Sequence, residues 1–464
     1  MNSGKQNKVL VIIIAVIAST GGLLFGFDTG VISGAIPFLQ DHFSLNDSQI
    51  ENITAFGLLG AVLGALMGGR IADILGRKKI IFVAAIVFAT GALWSGFAPN
   101  PTQLLFSRLY IGIAIGVASF AVPLYIAEVS PTKMRGALVS LFQFMITIGI
   151  LASYLSDSAL ANNDKTECWR TMFYVGVIPA LILFIGAFFL PETPRWLMKK
   201  GREQESKNIL SKIEEPGQVD HIFQTMKDDI KKEPKRQSWN VLFRPWLKNA
   251  FIIAVGIMFF QQFVGINTVI YYSPKIFLKA GFEGNEAAIW ASVSIGVVNV
   301  LFTIVSMFLI DRLGRRKLYF IGLTGIILSL ISIGFCFYFK EIYNIDSKWL
   351  LVISMLIYVG FFTLSIGPLG WLLISEVYPL SVRGVGSSIG SLSNWGFNAL
   401  VVWSFFKLSR MLGDAEVFWL FALIGILGVV WGIRYIPETK GVSLEDIEEH
   451  WRSGEPPNKL KVKT

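Results

Sequence analysis

Twelve apolar runs, each long enough to cross a bilayer as a helix, punctuate this chain of 464 residues. A backbone in hydrocarbon finds no water, so its N–H and C=O groups must pair within their own segment or in a closed barrel. Runs of about 17–25 apolar residues are the helical answer. They lie near Val9 to Ile36, Ile53 to Ile71, Ile80 to Phe97, Gln103 to Ala127, Ala137 to Ser158 and Thr171 to Leu190. After a polar interval they resume near Ala250 to Tyr272, Ala287 to Ile310, Leu318 to Phe339, Leu350 to Ile374, Val385 to Leu408 and Val417 to Ile436. The expected fold is an all-α membrane protein of twelve transmembrane helices: a six-helix half (1–190), linker helices (191–248), a second six-helix half (249–440) and a tail (441–464). The first run is too long for a removable signal peptide and lacks a small-residue cleavage site, so it is expected to stay in the chain.

Charge sets the orientation. Lys5, Lys8, Arg70, Arg77, Lys78, Lys79, Lys133, Arg135, Arg312, Arg315, Arg316, Lys317 and Arg383 fall on alternate connections, whereas Gln40 to Asn52 carries Asp41, Asp47 and Glu51 and no Lys or Arg. By the positive-inside rule both termini and the central loop are cytoplasmic and the protein is a multi-pass plasma or inner membrane protein. The net charge of +9 then reports topology and not nucleic-acid binding. The two cysteines, Cys168 in an outer connection and Cys336 in a membrane helix, suggest no disulfide framework. His42, His221 and His450 all fall in connections or the tail, leaving no histidine for catalysis or metal binding in the membrane core. Asn46 and Asn52 would be glycosylation acceptors in a eukaryote, but the short loops and tails suit a bacterium.

The chain repeats itself. DILGRK at Asp73 to Lys78 recurs as DRLGRR at Asp311 to Arg316, and EVSPTKMRG at Glu128 to Gly136 recurs as EVYPLSVRG at Glu376 to Gly384. Topology alone needs positive charge but neither the acids nor their spacing. Two related halves rocking about a midplane site is a common transporter design, so Asp73, Arg77, Glu128, Arg135, Asp311, Arg315, Glu376 and Arg383 are assigned to an inner gate that closes the cytoplasmic side in the outward-facing state. In the linker, Arg195 to Glu214 and Gln218 to Lys232 read as amphipathic helices, and Trp196, Leu197, Ile209 and Leu210 give them an apolar side expected to pack beneath the bundle.

Inside the first run, Gly22, Gly26, Gly30 and Gly34 recur at four-residue steps and form one stripe for close helix packing. Asp28 projects roughly 200° away from Gly26 and therefore meets a different environment. A lone charge at the bilayer centre costs at least about 2.5–3.5 kcal/mol, so Asp28 needs a polar cavity or a cation. Arg108, in the fourth run, is its candidate partner, with Gly112 and Gly116 on the same face. Proton binding to Asp28 would bias a two-state element; the alternative is a permanent structural salt bridge.

Gln261, Gln262 and Asn267 put three carboxamides into one apolar helix, with Gly265 allowing the backbone to break. Gln143, Asn299 and Asn394 add to the set. Amides both donate and accept hydrogen bonds without adding charge, which suits a neutral polyhydroxylated solute. Trp371 and Trp395 offer flat faces for a pyranose, or ordinary packing.

At these residues the chain resembles the sugar porter family of the major facilitator superfamily over nearly its whole length. The motifs are GGRIADILGRKK, Glu128 to Gly136 and its copy, PETPRWL at Pro191, QQFVGIN at Gln261, DRLGRRK, GPLGW at Gly367 and PETKG at Pro437. The resemblance implies alternating access and a sugar site at Gln143, Gln261, Gln262, Asn267, Asn299, Trp371 and Asn394. It also implies that Asp28 and Arg108 match the proton-coupling pair of the family's symporters. Ile150 and the Asn394–Trp395 pair look like the glucose carriers more than the xylose ones.

The expected function is a proton-coupled monosaccharide importer, D-glucose first, with galactose or xylose as further substrates. Its partners are the sugar, H+ and the lipid bilayer, with a monomer as the working unit. A passive uniporter and a membrane sugar sensor are the alternatives. No nucleophile, base and orienting group occur together, and no phosphate-cradling or metal-ligand pattern lies in the core, so no enzyme, cofactor or metal is expected.

Overall fold

The computed structural model describes residues 3–131, 134–215, 217–232, 239–379 and 382–460. Lys133 lies outside them, as do the side chains of Lys5 and Arg383. Among the described residues the regular elements are all helical. The first half holds α1 (Ser3–Phe43), α2 (Asp47–Leu75), α3 (Arg77–Phe97), α4 (Pro101–Val129), α5 (Arg135–Leu160), α6 (Cys168–Val175) and α7 (Val177–Phe189). The linker forms α8 (Pro194–Lys199), α9 (Glu203–Ile213) and α10 (Val219–Lys232). The second half holds α11 (Lys248–Phe263), α12 (Ile266–Ala280), α13 (Asn285–Leu313), α14 (Arg315–Tyr343), α15 (Lys348–Leu364), α16 (Ile366–Val377), α17 (Arg383–Leu412) and α18 (Asp414–Tyr435). The tail forms α19 (Leu444–Ser453).

Eleven of the expected spans are long and apolar enough to cross a membrane. The twelfth is α17, where Ser387, Ser388, Asn394 and Asn398 dilute the apolar run. Three spans expected to be continuous or merely breakable are each two helices. The sixth breaks at Gly176, the seventh at Val264 and Gly265, and the tenth at Ser365. Gly265 takes φ +88°, and a Cβ there would meet the ring of Phe421 at 2.4 Å, so glycine is required on both counts. Val264 O, freed by the break, accepts the Tyr358 hydroxyl at 2.8 Å. Two smaller placements also differ from the sequence reading: Cys168 is the first residue of α6, and His42 stands in the last turn of α1, which runs past Ile36.

The linker packs against the bundle. The expected helix over 195–214 is interrupted, because Gly201 takes φ +76° and ends α8, with Arg202 N donating to Leu197 O at 2.9 Å. Trp196 and Leu197 on α8 are buried, and Trp196 Nε1 donates to Asp73 O at 3.0 Å. Leu210 is buried on α9, and Ile209 beside it is half-buried.

By packing, the chain divides into two compact units. Unit 1 comprises Met1–Asp28, Gly60–Ser153 and Arg170–Lys235; unit 2 comprises Thr29–Leu59, Tyr154–Trp169 and Arg236–Thr464. The division does not follow the six-plus-six line, because the far ends of α1, α2 and α5 pack with the second half.

In unit 1 the glycine stripe does what its spacing predicts. A Cβ on Gly22 would lie 2.5 Å from Phe142 O, and one on Gly26 only 1.9 Å from Ile146 O, so α1 and α5 touch backbone to backbone. On the other side of the unit, a Cβ on Gly116 of α4 would lie 2.1 Å from Ala61 O of α2.

Candidate functional site

Asp28, turned away from the glycine stripe, meets Arg108 of α4 in unit 1. The guanidinium grips the carboxylate with both terminal nitrogens: Nη2 donates to Oδ2 at 2.6 Å and Nη1 donates to Oδ1. Only 5% of Asp28 and 2% of Arg108 is exposed, so neither charge has water to fall back on. Arg108 Cζ stands 5.8 Å from the centroid of the Phe173 ring, and its Nε has no hydrogen-bond partner. The fork therefore places both terminal nitrogens on a single acid, a two-pronged charge-assisted pair.

The amides gather in unit 2. Gln261 Nε2 donates to Ile366 O at 2.9 Å and Gly367 O at 2.7 Å, just past the α15–α16 break. Gln261 Oε1 accepts from Asn394 Nδ2 at 2.6 Å and from Gln262 Nε2 at 3.3 Å. Gln262 Oε1 in turn accepts Asn267 Nδ2 at 2.7 Å, across the Gly265 break. Gln261 is thus the hub that ties α11, α16 and α17 together, with Asn267 on α12 completing the chain. Asn299 stands apart from it in α13 and accepts the Thr363 hydroxyl at 2.9 Å. Trp371 is exposed and Trp395 buried, while Gln143 belongs to unit 1 and is half-buried.

Two features escaped the sequence reading. The Ser365 break was signalled by Gly367–Pro368 two residues later. Asn398, one helical turn beyond Asn394, is buried and its Oδ1 has no hydrogen-bond partner, the state of an acceptor kept for a ligand or water. Its spacing of four from Asn394 was the available clue.

The copied charge motifs form two matched clusters, one in each unit. In unit 1, Arg77 lies 2.9 Å from Asp73 Oδ1 and 3.2 Å from Glu128 Oε2, and Thr193 Oγ1 donates to the same Glu128 oxygen at 2.6 Å. In unit 2, Arg315 lies 3.2 Å from Asp311 Oδ1 and 2.8 Å from Glu376 Oε1, and Thr439 Oγ1 donates to Glu376 Oε2 at 2.5 Å. Glu192 accepts from the backbone of Arg77 and Lys78 at 3.0 and 3.2 Å, as Glu438 does from Arg315 and Arg316 at 3.0 and 3.1 Å. Each of these glutamates caps a helix whose N-cap glycine, Gly76 or Gly314, has positive φ and no room for a Cβ beside the carboxylate. The Pro-Glu-Thr segments are therefore a third duplicated element, which the sequence shows at Pro191 and Pro437. Burial raises the Glu192 carboxyl above its ordinary 4.5, opposed by the N–H groups of Thr193, Lys78 and Arg77. Arg135 does not join the first cluster; it is exposed and its charge reaches Glu214, whose carboxyl is itself raised by burial.

At the opposite end of unit 2, α1, α2 and α5 are closed onto α12 and α17. Lys275 of α12 pairs with Asp47 of α2 and donates to Gln40 of α1 at 3.0 Å. Tyr154 of α5 donates to Ile270 O at 2.7 Å, Glu51 accepts Lys407 N at 3.0 Å, and Trp403 Nε1 donates to Asn52 at 2.8 Å.

A bundle of broken and unbroken apolar helices with an internal repeat, a buried charge pair in unit 1 and an amide cluster in unit 2 defines a membrane carrier of the major facilitator fold. Residues 14–451 match the family described as sugar (and other) transporter. The chain is 39% identical over 449 residues to the glucose transporter GlcP of Staphylococcus epidermidis, covering 97% of this chain and 98% of that one. It is 36% identical over 464 residues to the galactose-proton symporter of Escherichia coli K12, covering 97% and 96%. Among solved structures, the xylose transporter XylE of E. coli, in a partially occluded inward open conformation, superposes with a TM-score of 0.81 at 29% identity, over 93% of this chain and 99% of that one. The chain belongs to the sugar porter family of the major facilitator superfamily, and it is a sugar transporter of the membrane.

Proposed function

We propose that the protein is a proton-coupled monosaccharide importer of the cell membrane, with D-glucose as first substrate and galactose or xylose as further ones. The observation that carries this reading is the enclosed, two-pronged Asp28–Arg108 pair. A proton arriving at Asp28 replaces an ion pair by a neutral acid beside a cation, and the Arg108 guanidinium must then find other acceptors. That change biases the carrier between its two conformations. Uphill import follows if sugar and proton bind together on one side and leave on the other.

The neutral amides Gln261, Gln262, Asn267, Asn299 and Asn394, with Gln143 from the first half, are the proposed sugar contacts, Trp371 and Trp395 the apolar faces, and Asn398 an added acceptor. Arg77, Asp73 and Glu128, with Arg315, Asp311 and Glu376, brace the helix ends of each half at the proposed inner gate, to which Arg135 and Arg383 are assigned by their motifs alone. The working unit is a monomer built as two six-helix halves, 1–190 and 249–440, with the linker 191–248 and both termini in the cytoplasm. The galactose-proton symporter and the glucose transporter among the relatives support both the coupling and the sugar class.

The test is sugar-dependent proton uptake in proteoliposomes loaded with a pH dye, adding D-glucose, D-galactose and D-xylose in turn. Internal acidification with one of them, absent in Asp28→Asn although labelled sugar still exchanges, is the expected result. Sugar entry without acidification overturns coupling and leaves a uniporter in which Asp28 and Arg108 are a structural pair.

A further inference from the structure

Asp157 stands near the end of α5, one turn after Tyr154, and none of its surface is exposed. Both its carboxyl oxygens are buried without a hydrogen-bond partner, and it forms no ion pair with any described residue. The wall it faces is the backbone of α1: a Cβ on Gly34 would lie 2.4 Å from Asp157 Oδ2. On its own helix the neighbouring titratable group is Tyr154, whose hydroxyl is committed to Ile270 O of α12 at 2.7 Å. On α6 it is the Cys168 thiol. At the end of α1 the ionisable groups are Asp41, exposed and accepting from Asn285 Nδ2 at 3.1 Å, and His42, which lies 3.7 Å from Glu167. The one other acid facing inward from α1 is Asp28, already held by Arg108.

A carboxylate sealed against a glycine backbone, with no hydrogen bond to either oxygen, has lost its water and gained no cation, which is the costly form of burial. The neutral acid does not carry that penalty. One wall of the enclosure is α1 lying on α5 at this end, where α1 and α5 also close on α12 through the contacts of Ser33 with Ser273 and of Tyr154 with Ile270. Parting these helices would open Asp157 to water.

We propose that Asp157 is a second proton-binding site, filled whenever the end of the bundle away from the charge motifs closes. As α1 approaches α5, the carboxylate takes one proton from water at that end; when the helices part, the O–H bond breaks and the proton returns to the same side. The proton is never carried across, so this site leaves the sugar-to-proton ratio unchanged and makes the closing step faster at lower pH. It serves the transport cycle proposed above, but its first test does not depend on that cycle.

That test is infrared spectroscopy of the purified protein in liposomes, without sugar, from about pH 5 to about pH 9. The wild-type minus Asp157→Asn difference spectrum should contain the C=O stretch of a protonated carboxyl at neutral pH; its absence overturns the proposal whatever the protein transports. The second test is D-glucose exchange in an Asp28→Asn background, which removes the coupling carboxyl. Exchange should slow by up to about tenfold per pH unit at alkaline pH and become flat with pH when Asp157→Asn is added. An unchanged slope overturns the link to closing, whereas no exchange in any variant while the infrared band persists counts against the sugar reading alone. Gly34→Ala, which pushes a methyl into the carboxyl, should slow exchange several-fold and be rescued by Asp157→Ala; failure of that rescue removes the α1–α5 contact from the argument.

Discussion

Asp28 and Arg108 place a paired negative and positive charge inside unit 1, whereas unit 2 holds a string of uncharged amides centred on Gln261. The two halves descend from one repeat and still share their charge clusters to within a few tenths of an ångström. Their membrane interiors have parted company. Charge is the currency of a proton, because protonation changes it by a whole unit; a sugar changes no charge and is matched by groups that both donate and accept. The difference is what the proposed function asks for, with coupling in one half and solute recognition mainly in the other.

The largest effect should come from breaking the charge pair on one side only. Arg108→Met leaves Asp28 buried without its cation, a loss of about 3–5 kcal/mol for a buried pair, read as a large drop in melting temperature. Arg108→Met combined with Asp28→Asn should recover most of it. If the double variant melts no higher than the single one, the pair is not the charge centre of unit 1.

Next comes the amide hub. Gln261→Leu removes bonds to Ile366, Gly367, Asn394 and Gln262 together, which loosens the cluster, and losing two hydrogen bonds from the proposed sugar contact at about 1–1.5 kcal/mol each should weaken D-glucose binding by about 100-fold. Whatever uptake remains should stay coupled to protons. Loss of coupling with affinity intact would reverse the division of labour.

A smaller effect tests what the halves still share. Thr193→Val and Thr439→Val each delete one hydroxyl bond to a half-buried glutamate, worth about 1.5–3 kcal/mol. Thermal shifts should be alike for the two; a clear inequality would show that the copies carry unequal loads.

The smallest effect is a pH slope at Glu192. Its carboxyl is raised by burial, so the stability it contributes is full below its ordinary value of 4.5 and is lost as pH rises through the raised value. The melting temperature of wild type relative to Glu192→Gln should therefore fall as pH climbs through that window. A rise would mean that the helix-capping N–H groups outweigh burial.

The spans, the repeat and the glycine stripe were legible in the sequence because each is a pattern along one helix: hydropathy over a bilayer thickness, a motif with fixed spacing, a four-residue period. So was the need of Asp28 for a cation, since an unpaired charge in hydrocarbon is too costly to stand. Contacts between segments far apart in the chain were not. Periodicity has no term for which carbonyl a glutamine will find, so Gln261 reaching past the Ser365 break, and Glu192 capping the helix that begins at Arg77, had to be seen in three dimensions. Arg135, grouped with the gate by its motif, stands outside the cluster for the same reason.

The sequence by itself determined that this chain crosses the membrane repeatedly as two related sets of helices and carries one acid that must be paired. Only the tertiary structure decided that the far ends of α1, α2 and α5 fold in with the second half, and that Asp157 is sealed there against Gly34 without a partner. Burial is a property of what surrounds a residue on every side, and no spacing along a single helix contains it.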